Sequence, residues 1–334
     1  MNTEHKETAP SGGDFGVRDR VMGLYDNIAS LIADMPRRFA SGEDIKMKRL
    51  RRLVQYAIDM VEDDEPLLLG MALNNNRHQY ADRHPVNVCI LSVKLGHRLG
   101  LSKNELAELG QVALLYDICL PFVPAEVLEK KGAYSDEDWR AMEQHTIQGF
   151  RTLFGLKNVD EMLMRAAIVA FEHHLRYDLS GYPQAQHLPS QDFYTRIVAI
   201  AEWYDALASS RAYAEGGRSP DYAVKTLLEQ SGTELDPVLV KVFVSMMGVY
   251  PVGSLVVLDS GEIGIVMQPH GVLIKRPRVI VISDEVKPFV ADLSKRGDDG
   301  QYLRTVKKTL DPNEYRIDYS SYFFGRPRRY GENN

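Results

Sequence analysis

The chain has 334 residues, a net charge of −6 and an ordinary composition, 44% hydrophobic and 26% charged, which is enough to bury a sizeable core and more than one typical domain needs. No apolar run is long enough to span a membrane, the polar start Met1-Asn2-Thr3-Glu4-His5-Lys6 is no signal peptide, and the acidic balance argues against general affinity for nucleic acid or a membrane surface. Only Cys89 and Cys119 are present, both in apolar helical contexts, so buried thiols in a cytoplasmic protein are expected rather than a disulfide framework.

Residues 1–16 are polar, carry Gly12-Gly13 and read as a disordered tail. From 17 to 73 two apolar stripes at helical spacing, Val21-Leu24-Ile28-Leu31 and Leu50-Leu53-Val54-Ala57-Ile58-Val61, predict an N-terminal helical region without chemistry, packed on the main domain or on a second copy. The basic cluster Lys46, Lys48, Arg49, Arg51 and Arg52 between them reads as a solvated face.

The main helical domain is expected over 74–249. His84 precedes Val88, Leu91, Leu95 and Leu99 at helical spacing, which aims its ring at the core. The next helix runs through Leu106, Leu109, Ala113 and Leu114 to Asp117, an acid among large aliphatic residues that needs a metal or a buried Arg as partner. Ser135-Asp-Glu-Asp138 marks a helix start with a capping box, and that helix brings His145. A following helix, with Leu163, Ala166, Ala167, Ala170 and Phe171 apolar, ends in His173-His174 just before a loop with Gly181 and Pro183.

A helix from about 193 to 209 carries Glu202 on the face of Val198 and Asp205, with Arg211 at its end, and two more helices cover about 220–229 and 237–247. Over 250–334 the runs Ser254–Leu258, Gly264–Met267, Val272–Ile274 and Arg278–Ile282 predict a small antiparallel sheet, and the tail beyond Asp284 is charged and weakly patterned. The fold class is therefore mainly α, a helical bundle with a small β extension.

His84, Asp117, His145, His173, His174 and Glu202 are polar residues on otherwise apolar faces of five helices. One such residue is ordinary, but six suggest a metal centre inside the bundle, and imidazole with carboxylate suits iron, manganese or zinc. Spacing alone leaves their convergence open.

The segment His173-His174-x-Arg176-x-Asp178-x-x-Gly181-Tyr182-Pro183 resembles the signature of the HD-GYP family, metal-dependent phosphodiesterases of the HD superfamily that hydrolyse cyclic di-GMP. The likeness extends over roughly residues 75–283: His84 falls on the first ligand histidine, Tyr116-Asp117-Ile118-Cys119-Leu120 on the family's His-Asp-Ile-Gly-Lys, His145 on the next histidine and Glu202 on the aspartate that closes the site. It implies an HD-type bundle in which Asp117, the catalytic residue, bridges two metals. The set Asp117, His145, His173 and His174 is whole, while His84, Asp117 and Glu202 lack one imidazole. It also implies that Arg176, Asp178, Gly181, Tyr182, Pro183 and Arg211 shape the loop and a guanine-binding surface.

The chain departs from the pattern at Tyr116, at Leu120 (a lysine expected near a substrate phosphate), at Leu175 (a glutamate), at Leu179 (a glycine) and at Glu202. Tyr80 stands where three-metal members carry a glutamate, which disfavours a third ion. The expected function is a divergent, weak, metal-dependent phosphodiesterase of cyclic di-GMP or a related cyclic dinucleotide, holding one or two divalent transition metals, iron or manganese foremost. The alternative is a catalytically impaired HD-GYP domain that binds metal and nucleotide and signals through a protein partner or a second copy. A metal-based redox or oxygen sensor is a third reading.

Overall fold

The structure is a computed structural model that describes residues 7–8, 15–43, 45–63, 80–130, 132–184, 188–208, 219–282 and 288–310. Helices α1 (Phe15–Ser41) and α2 (Met47–Asp63) lead into α3 (Tyr80–Arg98), α4 (Lys103–Leu115), the one-turn α5 (Ala125–Leu128), α6 (Asp136–Phe154), α7 (Glu161–Glu172), α8 (Phe193–Ala208), α9 (Pro220–Glu229) and α10 (Pro237–Met247). None of these helices is long and apolar enough to cross a membrane.

The helices start where local chemistry predicts. Ser135 accepts from Asp138 N while Asp138 accepts from Ser135 N (2.7 Å), the capping box expected for α6. Ser102 and Glu105 repeat the device on α4, and Asp160 caps α7 by accepting from Leu163 N at 2.9 Å.

The N-terminal helices belong to the main core. Leu24, Ile28 and Leu31 of α1 and Leu50 and Val54 of α2 are buried in one apolar cluster with Val88, Leu91 and Leu109, each worth about 1.5–3 kcal/mol of transfer free energy. Gly110 lets α2 approach α4, since a Cβ there would lie 2.5 Å from Val54 Cγ1.

After Met247 the described residues build a six-stranded antiparallel sheet from β2 (Leu255–Leu258), β3 (Ile263–Gln268), β4 (Arg278–Ile282), β5 (Phe289–Asp292) and β6 (Val306–Leu310), with β1 (Glu7–Thr8) and β6 as its edges among those residues, in the order β1-β5-β4-β3-β2-β6. Period-2 alternation puts Val256, Val266, Val279 and Val281 on one face and Leu255, Ile265 and Ile280 on the other. Asp221 of α9 accepts from Thr309 Oγ1 at 2.9 Å and ties the sheet to the helices.

Three expectations change here. Glu7–Thr8, within the segment read as a disordered tail, pairs with Val290 and Phe289; a sheet edge accepts any extended backbone, so no side-chain pattern announces it. The run Val272–Ile274 is a turn, with His270 Nδ1 accepting from Val272 N (3.2 Å) and Leu273 N (2.9 Å). β5 and β6 lie in the stretch read as weakly patterned; β6 is an edge strand with Lys307 and Lys308 exposed, so it needs no continuous apolar pattern.

Candidate metal centre

α7 ends at His173, whose N–H still donates to Val169 O at 3.0 Å, and Leu175 N donates to Glu172 O at 2.7 Å as the chain turns away. The helix end therefore delivers both imidazoles to one point. His145 arrives from α6, and close approach of the two helices depends on Gly149, one turn further on, where a Cβ would lie 3.1 Å from Ala170 Cβ.

Ligand atoms of His145, His173 and His174 all lie within 4.8 Å of one another. His145 Nδ1 donates to Met142 O (2.5 Å) and His173 Nδ1 donates to Ala170 O (2.9 Å). These backbone carbonyls fix the tautomers, so in the neutral rings both Nε2 atoms present bare lone pairs, and the two stand 3.2 Å apart. Two lone pairs that close repel unless a cation lies between them and their neighbours.

Asp117 follows α4 in a tight turn, Leu120 N donating to Asp117 O at 3.0 Å. Its Oδ1 stands 3.5 Å from His145 Nε2 and 3.9 Å from His173 Nε2, and is buried without a hydrogen-bond partner. Three imidazoles and one orphaned carboxylate oxygen fit a first-row divalent ion. The electrostatics agree. Burial pulls His145 below the ordinary imidazole range, pulls His173 well below it with help from His174 and His145, and takes His174 to about 3. Burial, then the charge of Glu202, raises Asp117 well above the carboxylate range. Half-buried Glu202 on α8 thus acts on the same centre.

His84 of α3 has a different setting. Its Nδ1 donates to Asp205 Oδ2 at 2.6 Å, since a carboxylate only accepts, and its Nε2 lies 3.1 Å from Tyr116 Oη. Tyr116 is 2% exposed, with its ring edge-on to His173 at 5.0 Å. It stands between the two histidines.

Asp205 Oδ1 accepts from Asn87 Nδ2 (2.8 Å), and Asn87 Oδ1 accepts from Tyr25 Oη (2.8 Å). Sequence reasoning placed Asp205 on an apolar face but gave the centre only Glu202, and it assigned α1 no part in it. The available signal was Asn87, three residues after His84 and hence on its face. Tyr25→Phe removes a buried donor and should cost about 1–2 kcal/mol, read as a lower urea midpoint; an unchanged midpoint would show that this bond contributes nothing.

The loop after the paired histidines folds back on them. Tyr182 N donates to His174 O (3.2 Å), Leu175 bridges Gly181, and the Tyr182 ring sits 4.7 Å from the His174 ring. Gly181 has φ +91° and a Cβ there would meet His174 O at 2.4 Å, so Gly181→Ala should cost more than about 1 kcal/mol and displace His174. Thermal unfolding with a metal titration checks this; unchanged Tm and affinity would refute it. Leu179 holds φ +65° without glycine's freedom, a strain of about 1–2 kcal/mol.

The expected nucleotide-contacting residues divide. Tyr182 borders His174 and His145 through its ring, and Pro183 after it is buried, the Tyr182–Pro183 peptide being cis. Arg176 is half-exposed and held by Glu234 at 2.9 Å, and Asp178 accepts from Ser180 N and Oγ within its own exposed turn. Buried Leu175, where the pattern has glutamate, accepts at its carbonyl from Gln191 Nε2 (2.8 Å). Arg211 and the Tyr80 side chain lie outside the described residues.

The HD domain family model matches residues 55–239. The cyclic di-GMP phosphodiesterase PA4108 of Pseudomonas aeruginosa is 33% identical over 279 residues, 82% of this chain and 66% of that protein. The 3'3'-cGAMP-specific phosphodiesterase 2 of Vibrio cholerae is 26% identical over 189 residues, 56% of this chain and 36% of that one. The chain thus spans less than two thirds of either relative. Among solved structures, Bd1817, an HDG"Y"P protein from Bdellovibrio bacteriovorus, is similar in fold, with a TM-score of 0.52, 16% identity and coverage of 68% of this chain and 76% of that one. With a family model over more than half its length and a Gly-Tyr-Pro loop closed on paired histidines, this chain belongs to the HD-domain family, in its HD-GYP branch.

Proposed function

We propose that this chain is a cytoplasmic, metal-dependent phosphodiesterase of cyclic di-GMP or a related cyclic dinucleotide, with weak turnover. The observation that carries the reading is the pair of bare Nε2 atoms 3.2 Å apart beside the unpartnered Asp117 Oδ1. The relatives in Pseudomonas aeruginosa and Vibrio cholerae, phosphodiesterases of cyclic di-GMP and of 3'3'-cGAMP, supply the substrate class.

His145, His173, His174 and Asp117 would hold the ion. When bound, a divalent metal acidifies water and offsets charge developing on a phosphodiester. Met142 O and Ala170 O keep the two Nδ1–H groups turned away, so the rings offer Nε2 without reorganising. Burial and the nearby carboxylates raise the Tyr182 phenol above its usual range, so at the rim it offers a hydrogen-bond donor to a phosphate oxygen.

Tyr116 Oη at His84 Nε2 favours the second reading, a metal- and nucleotide-binding module that signals through a partner. Purified protein loaded in turn with iron and with manganese, incubated with cyclic di-GMP and with 3'3'-cGAMP, separates the two. Opened dinucleotide or mononucleotide supports the enzyme; metal and nucleotide binding without product supports the module.

A further inference from the structure

We propose that Trp139 is a base-stacking residue of this site, taking one purine ring of the cyclic dinucleotide; the inference rests on the phosphodiesterase reading and names a contact within it. α6 carries both Trp139 and His145. The Trp139 indole is 47% exposed although it is among the largest apolar side chains of the molecule. It is held on two sides: the half-buried Tyr134 ring meets it edge-on at 5.2 Å and 73°, and the Tyr182 ring meets it at 6.3 Å and 66°.

Tyr182 is the link to the centre. Its ring lies 4.7 Å from the His174 ring and 6.4 Å from the His145 ring. A row of aromatic rings thus runs from the imidazoles, through the Gly-Tyr-Pro tyrosine, to an indole open to solvent. Water gains nothing from an exposed indole face, whereas any purine offers it a π surface.

The charged residues of the loop do not compete for this role, because Arg176 is engaged by Glu234 and Asp178 by Ser180. For a phosphodiester seated at the imidazoles, this ring row is the aromatic surface that its attached nucleoside can meet. Stacking tolerates any purine, so this contact sets affinity and leaves guanine-versus-adenine choice to other groups.

The test uses the full chain, metal-loaded, as wild type, Trp139→Ala and Trp139→Phe. Binding of cyclic di-GMP is measured by equilibrium dialysis and turnover by product separation. Trp139→Ala should raise Kd and KM about tenfold, the usual scale of one stacked base, with kcat and metal content unchanged, and Trp139→Phe should recover most of the loss. A wild type that binds or hydrolyses the dinucleotide, with Kd and KM unmoved by Trp139→Ala, overturns the stacking role and leaves the phosphodiesterase reading standing. A wild type that neither binds nor hydrolyses it overturns both. Unmoved affinity with a change of oligomeric state in sedimentation assigns the indole to a contact between copies instead.

Discussion

His173→Ala should empty the centre: metal per chain falls to background, and hydrolysis of cyclic dinucleotides drops by more than about 100-fold. Groups that merely orient a ligand are typically worth 10- to 100-fold in affinity, and His173 is both a ligand in this reading and the ring that faces His145 Nε2 at 3.2 Å. Chelation should lower the wild-type Tm by on the order of 10 °C, because a ligand at about 1,000 times its Kd stabilises by about 4 kcal/mol. The variant's Tm should not respond. Equal metal content and equal chelator response in the two proteins would refute the assignment.

The pH dependence has two opposed signs. His145, His173 and His174 have folded pKa values below the unfolded 6.5, so the unfolded chain binds more protons and the metal-free fold loses stability as pH falls below about 6.5. Asp117 has a raised folded pKa, so its contribution is intact below the unfolded value near 4 and is lost as pH rises. An ion reverses that second trend by favouring the carboxylate. Metal affinity should therefore rise with pH while Asp117 gives up its proton, and metal addition should release protons on titration calorimetry in buffers of different ionisation enthalpy.

The paired histidines were legible because they break an apolar helical pattern at its end, and His145 and Asp117 because each is a polar residue among aliphatics. What stayed hidden is set by distance along the chain. The bonds Tyr25–Asn87 and Asn87–Asp205 join residues 62 and 118 positions apart, and no local periodicity encodes such partners. The choice between Glu202 and Asp205 could not be made from spacing either, since three residues apart on one helix both face the same way. The structure gives Asp205 to His84 and leaves Glu202 to act on Asp117. In the sheet, the β4 pattern was strong because both its neighbours bury it, while β1 and β6 lie at the edges, where pairing is carried by backbone alone.

Tyr116→His combined with Leu120→Lys should raise metal from one tightly bound ion per chain to nearly two, and increase turnover by more than about tenfold. In the wild type His84 Nε2 is met by Tyr116 Oη at 3.1 Å, and the same buried ring packs edge-on against His173. A phenol carries its oxygen farther from the backbone than an imidazole carries either nitrogen, and it coordinates strongly only after losing its proton, so at 116 it would take up space beside His84 without supplying the ligand that an imidazole would. An imidazole at 116 takes the phenol away from His84 Nε2 and sets a second ring nitrogen beside it, with Asp205 already holding His84 Nδ1 and the charge of Glu202 acting on Asp117. Leu120 stands three residues after Asp117, its N–H bonded to the Asp117 carbonyl, so in the proposed phosphodiesterase a lysine there would offer a substrate phosphate a cation close to the centre. Elemental analysis after dialysis against a mild chelator gives the stoichiometry, and separated products give the rate. A wild-type ratio already near two, or a double variant unchanged in both quantities, would overturn this account. An intense visible band in the oxidised iron form that disappears in Tyr116→Phe would show instead that the phenolate is itself a ligand.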